Sequence, residues 1–194
     1  MGKLIVSEFL TLDGVMQAPG NRDEDRSGGF DQGGLQLKYF DDTLGKAIMD
    51  VLAVTGGLLL GRRTYEIFAA HWPNQPADDP LAGTFNELPK YAASTTLKEP
   101  LQWQNSTLIK GDVADGVAKL NKEAGKDILV IGSGTLVDTL SRHDLVDEYR
   151  LMIHPIVMGK GKRLFRDEGA PKKLRLVDSK TTTTGVLILT YTPV

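Results

Sequence analysis

Strand-like and helix-like segments alternate until the last third of the chain, where strand-like segments follow one another with only loops between them. This order predicts an α/β protein: a mixed, mostly parallel sheet with antiparallel C-terminal strands, covered by helices on both faces in three layers. The apolar runs at 57–61 and 128–131 support it, because strands covered on both faces lose the alternation of a half-solvated strand. The 194 residues suit one folding unit spanning 1–194.

Residues 4–12 read as a buried first strand that ends at Asp13-Gly14, a common turn pair. Residues 19–36, rich in glycine, acids and arginines, read as a long mobile loop, a candidate lid. Phe40, Leu44, Ile48, Val51 and Leu52 fall near helical spacing and lead into a strand at 57–61. A helix over 64–70 precedes Trp72-Pro73 and a Pro/Asp-rich loop to about residue 88. Short strands follow at 90–94 and 106–109, then a helix with Val113, Val117, Leu120 and Ala124 on one face. A strand at 128–131 and a helix over 135–141 complete the alternating part, and strands near 147–158, 173–180 and 186–192 close the chain.

Composition excludes several classes of protein. Hydrophobic residues at 41% and charged residues at 25% match an ordinary soluble domain, and a net charge of −2 offers no field for nucleic acid or an anionic membrane. The local exception is Lys160, Lys162, Arg163, Arg166, Lys172, Lys173 and Arg175, either a solvated face or part of a hold on a phosphate-bearing ligand. Zero cysteines exclude disulfides, thiolate metal sites and a thiol nucleophile. The start carries Glu8 where a secretory peptide would still be apolar, and no apolar run approaches about 20 residues, so a cytoplasmic protein is expected. His71, His143 and His154 lack metal-ligand spacing, and no metal is expected.

Two strand-to-helix junctions carry the chemistry. Gly132-Ser133-Gly134-Thr135 follows a buried strand and opens a helix, where outward backbone amides and the positive helix end favour a phosphate. The alternative is a tight turn with Thr135 and Asp138 as a helix cap. The spacing is not Gly-x-Gly-x-x-Gly, since Val137 takes the third position. Gly61-Arg62-Arg63-Thr64 is the second junction, and two arginines at a helix start are slightly unfavourable unless an anion faces them. Together the junctions point to a dinucleotide, although exposed arginines on a helix start remain the plainer reading of the second.

These motifs, with Thr11-Leu12-Asp13-Gly14, Lys90, Ser94-Thr95-Thr96-Leu97, Leu108-Ile109-Lys110-Gly111-Asp112 and the run His154 to Gly161, come in an order that resembles the dihydrofolate-reductase superfamily. The branch they resemble is the C-terminal reductase domain of the bifunctional riboflavin-pathway deaminase/reductase. The resemblance implies a dihydrofolate-reductase-like fold and an NADPH-dependent oxidoreductase similar to 5-amino-6-(5-phosphoribosylamino)uracil reductase. It implies cofactor contacts from Gly61, Arg62, Arg63, Thr64, Ser94, Thr95, Lys110, Gly132, Ser133, Gly134 and Thr135. Asp13 and Gly14 would lie near the nicotinamide and substrate, with Asp13 orienting the substrate or delivering a proton. A cis peptide is expected between Gly132 and Ser133, and a homodimer is expected through Leu151, Ile153, Ile156, Val157 and Met158. Gly45 stands where folate reductases carry a pterin-binding acid, so another small-molecule substrate is expected, and no zinc deaminase unit fits a chain without cysteine. The rival reading is a nucleotide-binding regulatory module of the same fold that has lost turnover.

Overall fold

In the computed structural model, which describes residues 2–165 and 171–194, the chain runs β1 (Leu4–Thr11), α1 (Leu35–Tyr39), α2 (Asp42–Val54), β2 (Thr55–Gly61), α3 (Arg62–His71), α4 (Pro80–Glu87), β3 (Lys90–Ala93) and β4 (Ser106–Ile109). It continues through α5 (Val113–Ala124), β5 (Asp127–Val130), α6 (Gly134–Arg142), β6 (Glu148–His154), β7 (Leu174–Thr181) and β8 (Leu187–Pro193). The strands form one sheet in the order β4-β3-β2-β5-β1-β6-β8-β7. The first six are parallel, and β8 runs antiparallel to both β6 and β7.

Strand periodicity places the two cores. Leu4, Val6 and Leu10 of β1 pack with Val117 of α5 and with Leu136, Val137 and Leu140 of α6. The intervening Ile5 packs on the other face with Val51 and Leu52 of α2, Tyr65 of α3 and Phe85 of α4. Each buried aliphatic side chain contributes roughly 1.5–3 kcal/mol, so a strand buried on both faces holds its register strongly. The predicted three-layer architecture is therefore the observed one.

Several elements differ from the sequence reading. The segment read as loop to residue 88 holds α4, whose start is an Asp79 cap accepting from the amides of Leu81 and Ala82, with Pro80 in the first helical position. The loop expected to be mobile is pinned: Gln17 donates to the carbonyls of Asp25 and Ser27, the Asp25 carboxylate pairs with Arg63 and Lys162, and Phe30 is buried against Val15 and Ala18. Strand β6 stops at His154 because Pro155 has no N–H to give the ladder. Of the apolar residues expected at a dimer interface, Leu151 and Ile153 belong to the core, Met158 packs on the Val15 cluster, Ile156 is half-buried, and Val157 is 68% exposed. In the basic stretch Lys160, Lys162 and Lys172 pair with Asp31, Asp25 and Asp144, while Arg166 lies outside the described residues. Among the described residues no helix is long and apolar enough to cross a membrane.

Lys90 ties α4 to the sheet. Its side chain is 0% exposed, its ammonium donates to the carbonyls of Phe85 and Asn86 at the end of α4, and it lies 4.3 Å from the Trp103 ring centre. Replacing it with methionine strands those carbonyls without their donor, and urea unfolding of Lys90→Met should show a loss of roughly 1–3 kcal/mol per carbonyl. Burial lowers the Lys90 pKa to about 8. The folded chain therefore binds fewer protons than the unfolded one between about pH 8 and the ordinary lysine range, and wild-type stability should gain there in a way the variant does not.

Candidate active site

A cavity of about 1600 Å³ opens at the carboxyl ends of the central strands, where ligands of open α/β sheets bind. Its walls are the starts of α3 and α6, its floor includes Ser7 and Glu8 of β1, and the loops around Met16–Asp25 and Gly161–Phe165 border it. This volume exceeds the roughly 300–1,000 Å³ of ordinary small-molecule pockets and has room for a dinucleotide with a second small molecule.

The two glycine junctions are in contact because β2 and β5 are neighbours. Gly61 N–H donates to the Gly132 carbonyl at 3.2 Å, and a Cβ on Gly61 would lie 2.3 Å from the Ser133 hydroxyl. Gly132 has a φ of 56° and faces the Thr64 hydroxyl, and the Gly132-Ser133 peptide is cis, as the resemblance implied. The space around these glycines is taken by protein: Ser133, Thr64, and, at Gly134, the Met16 sulfur. Their smallness lets the two junctions meet.

Helix capping separates these two helices from three others. α2, α4 and α5 begin with Asp41, Asp79 and Asp112, each accepting from the first-turn amides. α3 and α6 begin with Gly61 and Ser133, neither of which caps through a side chain, and both starts border the cavity. Uncapped first-turn amides and positive helix ends are the setting in which an anion is held.

Arg62, Arg63, Thr64, Ser94, Thr95 and Gly132 to Thr135 all line the cavity. Arg62 makes an exposed bridge with Glu66 one turn along α3, while Arg63 is held by Asp25 at 3.1 Å, so part of the anion demand at this helix start is met within the chain. Ser94 accepts from the amides of Thr96 and Leu97, which shapes the turn after β3. Lys110 lies apart: it pairs with Glu99 and is not part of the cavity wall. Its place at the outer strand β4 explains this, since β4 is three strands away from β5.

Asp13 and Gly14 also stand outside the wall. The Asp13 carboxylate accepts from the Thr11 hydroxyl and from the amides of Met158 and Gly159, and Arg163 sits 3.6 Å away. Bonds from Thr11 and Met158 hold it well below the usual carboxylate range, so it carries no proton to deliver near neutral pH. Asp13 fastens the 158–159 turn to the end of β1.

The acid on the cavity floor is Glu8, beside Glu24 and Asp25 of the bordering loop, and sequence reasoning treated it only as a charge near the start. Glu8 is 5% exposed, lines the floor, and its Oε1 accepts from Gly132 N–H at 2.6 Å. Burial pushes its pKa up to about 8, against the opposing Gly132 bond. The signal was present: one carboxylate inside an otherwise apolar strand, Leu4-Ile5-Val6-Ser7-Glu8-Phe9-Leu10. His154, buried with Nδ1 against the carbonyls of Leu10 and Met152, sits between Phe9 and Tyr39 and serves the strand end.

The Asp13 arrangement predicts a stability effect. Asn in its place keeps one acceptor and loses the charge, and chemical unfolding of Asp13→Asn should show a loss of about 1.5–3 kcal/mol. A carboxyl whose folded pKa is depressed stabilises above its unfolded pKa, and that contribution disappears as pH falls through the folded value. Wild type and variant should therefore converge in stability as the pH is lowered below about 4.

The sequence profile of the RibD C-terminal domain matches residues 2–188. The uncharacterised protein YyaP of Bacillus subtilis is 29% identical over 192 residues, covering 97% of this chain and 94% of its own length. Among solved structures, a putative riboflavin biosynthesis protein from Shewanella sp. PV-4 superposes with a TM-score of 0.72 at 22% identity, covering 100% of this chain and 99% of that one. The Thermotoga maritima diaminohydroxyphosphoribosylaminopyrimidine deaminase/5-amino-6-(5-phosphoribosylamino)uracil reductase superposes with a TM-score of 0.65 at 14% identity, this chain covering 57% of it. At these identities the superpositions speak for the fold, a riboflavin-pathway reductase-like one with a parallel sheet and antiparallel C-terminal strands. With the profile matched from residue 2 to residue 188, the chain belongs to the RibD C-terminal domain family.

Proposed function

We propose that this protein is an NADPH-dependent reductase acting on a small heterocyclic or sugar-linked substrate, of the type the Thermotoga enzyme is named for. The observation that carries this reading is the adjacent pair of helix starts, α3 and α6, left without side-chain caps toward the cavity. Two neighbouring anion-favouring helix ends suit the linked phosphates of a dinucleotide better than a single phosphate.

When bound, reduced nicotinamide supplies the hydride. The protein's own contribution is position. The turn from Gly132 to Thr135 would hold the pyrophosphate through amides beyond that of Gly132, which is given to Glu8, and Arg62 with the Ser94-Thr95 turn would hold the 2'-phosphate. Arg63 joins them only by leaving Asp25, so it serves the loop first. The pinned loop borders the cavity from Gln17 to Asp25 and would limit access of water beside a bound ligand. We also propose a homodimer, with the exposed Leu176 and Val177 of the outer strand β7 as the apolar surface available to it. Light scattering should then return twice the 21.2 kDa chain mass.

Titration of NADPH and NADH by fluorescence tests the cofactor. NADPH should bind more tightly, and Arg62→Ala should weaken it about tenfold to a hundredfold with little change for NADH. Equal losses for both cofactors would remove the 2'-phosphate from Arg62. Tight NADPH binding without oxidation across a carbonyl, imine and pterin panel would favour a regulatory module of the same fold.

A further inference from the structure

Adding a hydride to a C=N or C=O bond leaves an electron pair on the heteroatom, and a positioned acid that meets it speeds the step. We propose that Glu8 is that acid, its Oε2 facing the nitrogen or oxygen of the substrate bond being reduced, an inference that rests on the reductase reading.

The geometry decides which oxygen carries the proton. Oε1 accepts from Gly132 N–H, so a neutral Glu8 keeps its hydrogen on Oε2. That oxygen accepts no hydrogen bond among the described residues and is not sealed from solvent, and the residue lines the cavity floor. Gly132 belongs to the α6 junction, so the same peptide unit that opens the anion-favouring helix start also orients the acid. The distance between cofactor and acid is thereby set by one short turn.

Among the described residues, no cation of the cavity pairs with Glu8. On α3, Arg62 bridges to Glu66 and Arg63 to Asp25. From the bordering loops, Lys162 is held by Asp25, Arg163 donates to the Asp13 carbonyl, and Glu24 accepts from Gly20 and Asn21. Across the sheet, the β6 residue beside Glu8 is Leu151, and β5 offers only the Gly132 amide. A buried carboxyl without a cationic partner stays protonated to higher pH, here to about 8, and is a donor under neutral conditions.

The step balances. The hydride adds to the substrate carbon, the π pair of C=N or C=O moves to the heteroatom, and the heteroatom forms a bond to the Glu8 hydrogen as the carboxyl O–H bond breaks. The reduced nicotinamide is oxidised, the substrate gains two electrons, and a carboxylate remains until water in the cavity returns a proton. The substrate must therefore present an acceptor heteroatom to Glu8, not an N–H or ammonium group.

Glu8→Gln tests this, because the carboxamide still accepts from Gly132 N–H but has no acidic proton. In the cofactor-free wild type, infrared spectroscopy should find a protonated-carboxyl band that titrates near pH 8 and is missing from the variant. With NADPH and a panel of aldehydes, cyclic imines, dihydropterins and the phosphoribosylamino-uracil, wild-type kcat should fall above about pH 8. The variant should lose about a hundredfold or more in kcat, with NADPH affinity within ~threefold of wild type. A variant retaining wild-type kcat, or a band titrating in the ordinary carboxylate range, overturns the Glu8 role while leaving the reductase reading in place. If the variant does not fold, a wild-type kcat that is flat from roughly pH 6 to 9 overturns it instead. A wild type that binds no NADPH or reduces nothing in the panel overturns the reductase reading and this role with it, and the infrared band, read without cofactor, tells the two failures apart.

Discussion

The contact between Gly61 and the Gly132-Ser133 peptide is the constraint on which the site depends. Parallel neighbours β2 and β5 deliver two strand-to-helix junctions to the same place, and they meet only because residue 61 has no side chain where the Ser133 hydroxyl sits. Any Cβ at 61 would push α6 away from α3, separating the two open helix starts and moving the Gly132 amide off Glu8. Sheet register, anion-favouring ends and the buried acid are thus one arrangement, not three.

Around that contact the chain uses aspartates for closure. Asp41, Asp79 and Asp112 cap α2, α4 and α5, Asp13 fastens the turn at Met158 and Gly159, and Asp25 joins the loop above the cavity to α3 and to Lys162. Burial alone would raise the Asp25 pKa, yet the bonds from Lys162 and Ser27 bring it below the ordinary value, so the tether is an ionic one. Under the proposed cofactor reading, a ligand phosphate approaching Arg63 would compete with this carboxylate, and loop and ligand would then share one cation.

The sequence made the fold legible because both strand faces are covered: the apolar runs of β2 and β5 and the helical spacing of α2, α5 and α6 reflect one burial pattern. It hid α4, whose start signal, Asp79-Pro80, looks like any turn among Pro and Asp residues. It also placed Lys110 at the site on local resemblance, whereas strand order sets β4 outermost and turns that lysine to Glu99. Motif order along a chain does not report the order of strands in a sheet. Leu151 and Ile153 show a related ambiguity, since they read as apolar whether they face a partner or the core.

Glu8 and Asp13 make the same point in electrostatic terms. They lie five positions apart, and the resemblance gave Asp13 the chemical role, at the end of the first strand near the expected nicotinamide. Their surroundings differ. Asp13 sits among donors, the Thr11 hydroxyl and the amides of Met158 and Gly159, which favour its charged form and commit its oxygens to structure. Glu8 sits in an apolar strand with a single amide, which burial outweighs, so its neutral form prevails and one oxygen stays uncommitted. A carboxyl already bonded from several sides has nothing left to offer a substrate, and one with a single bond and no cation holds a proton it can give up. In this fold the useful acid is the one the chain stabilises least in its charged form.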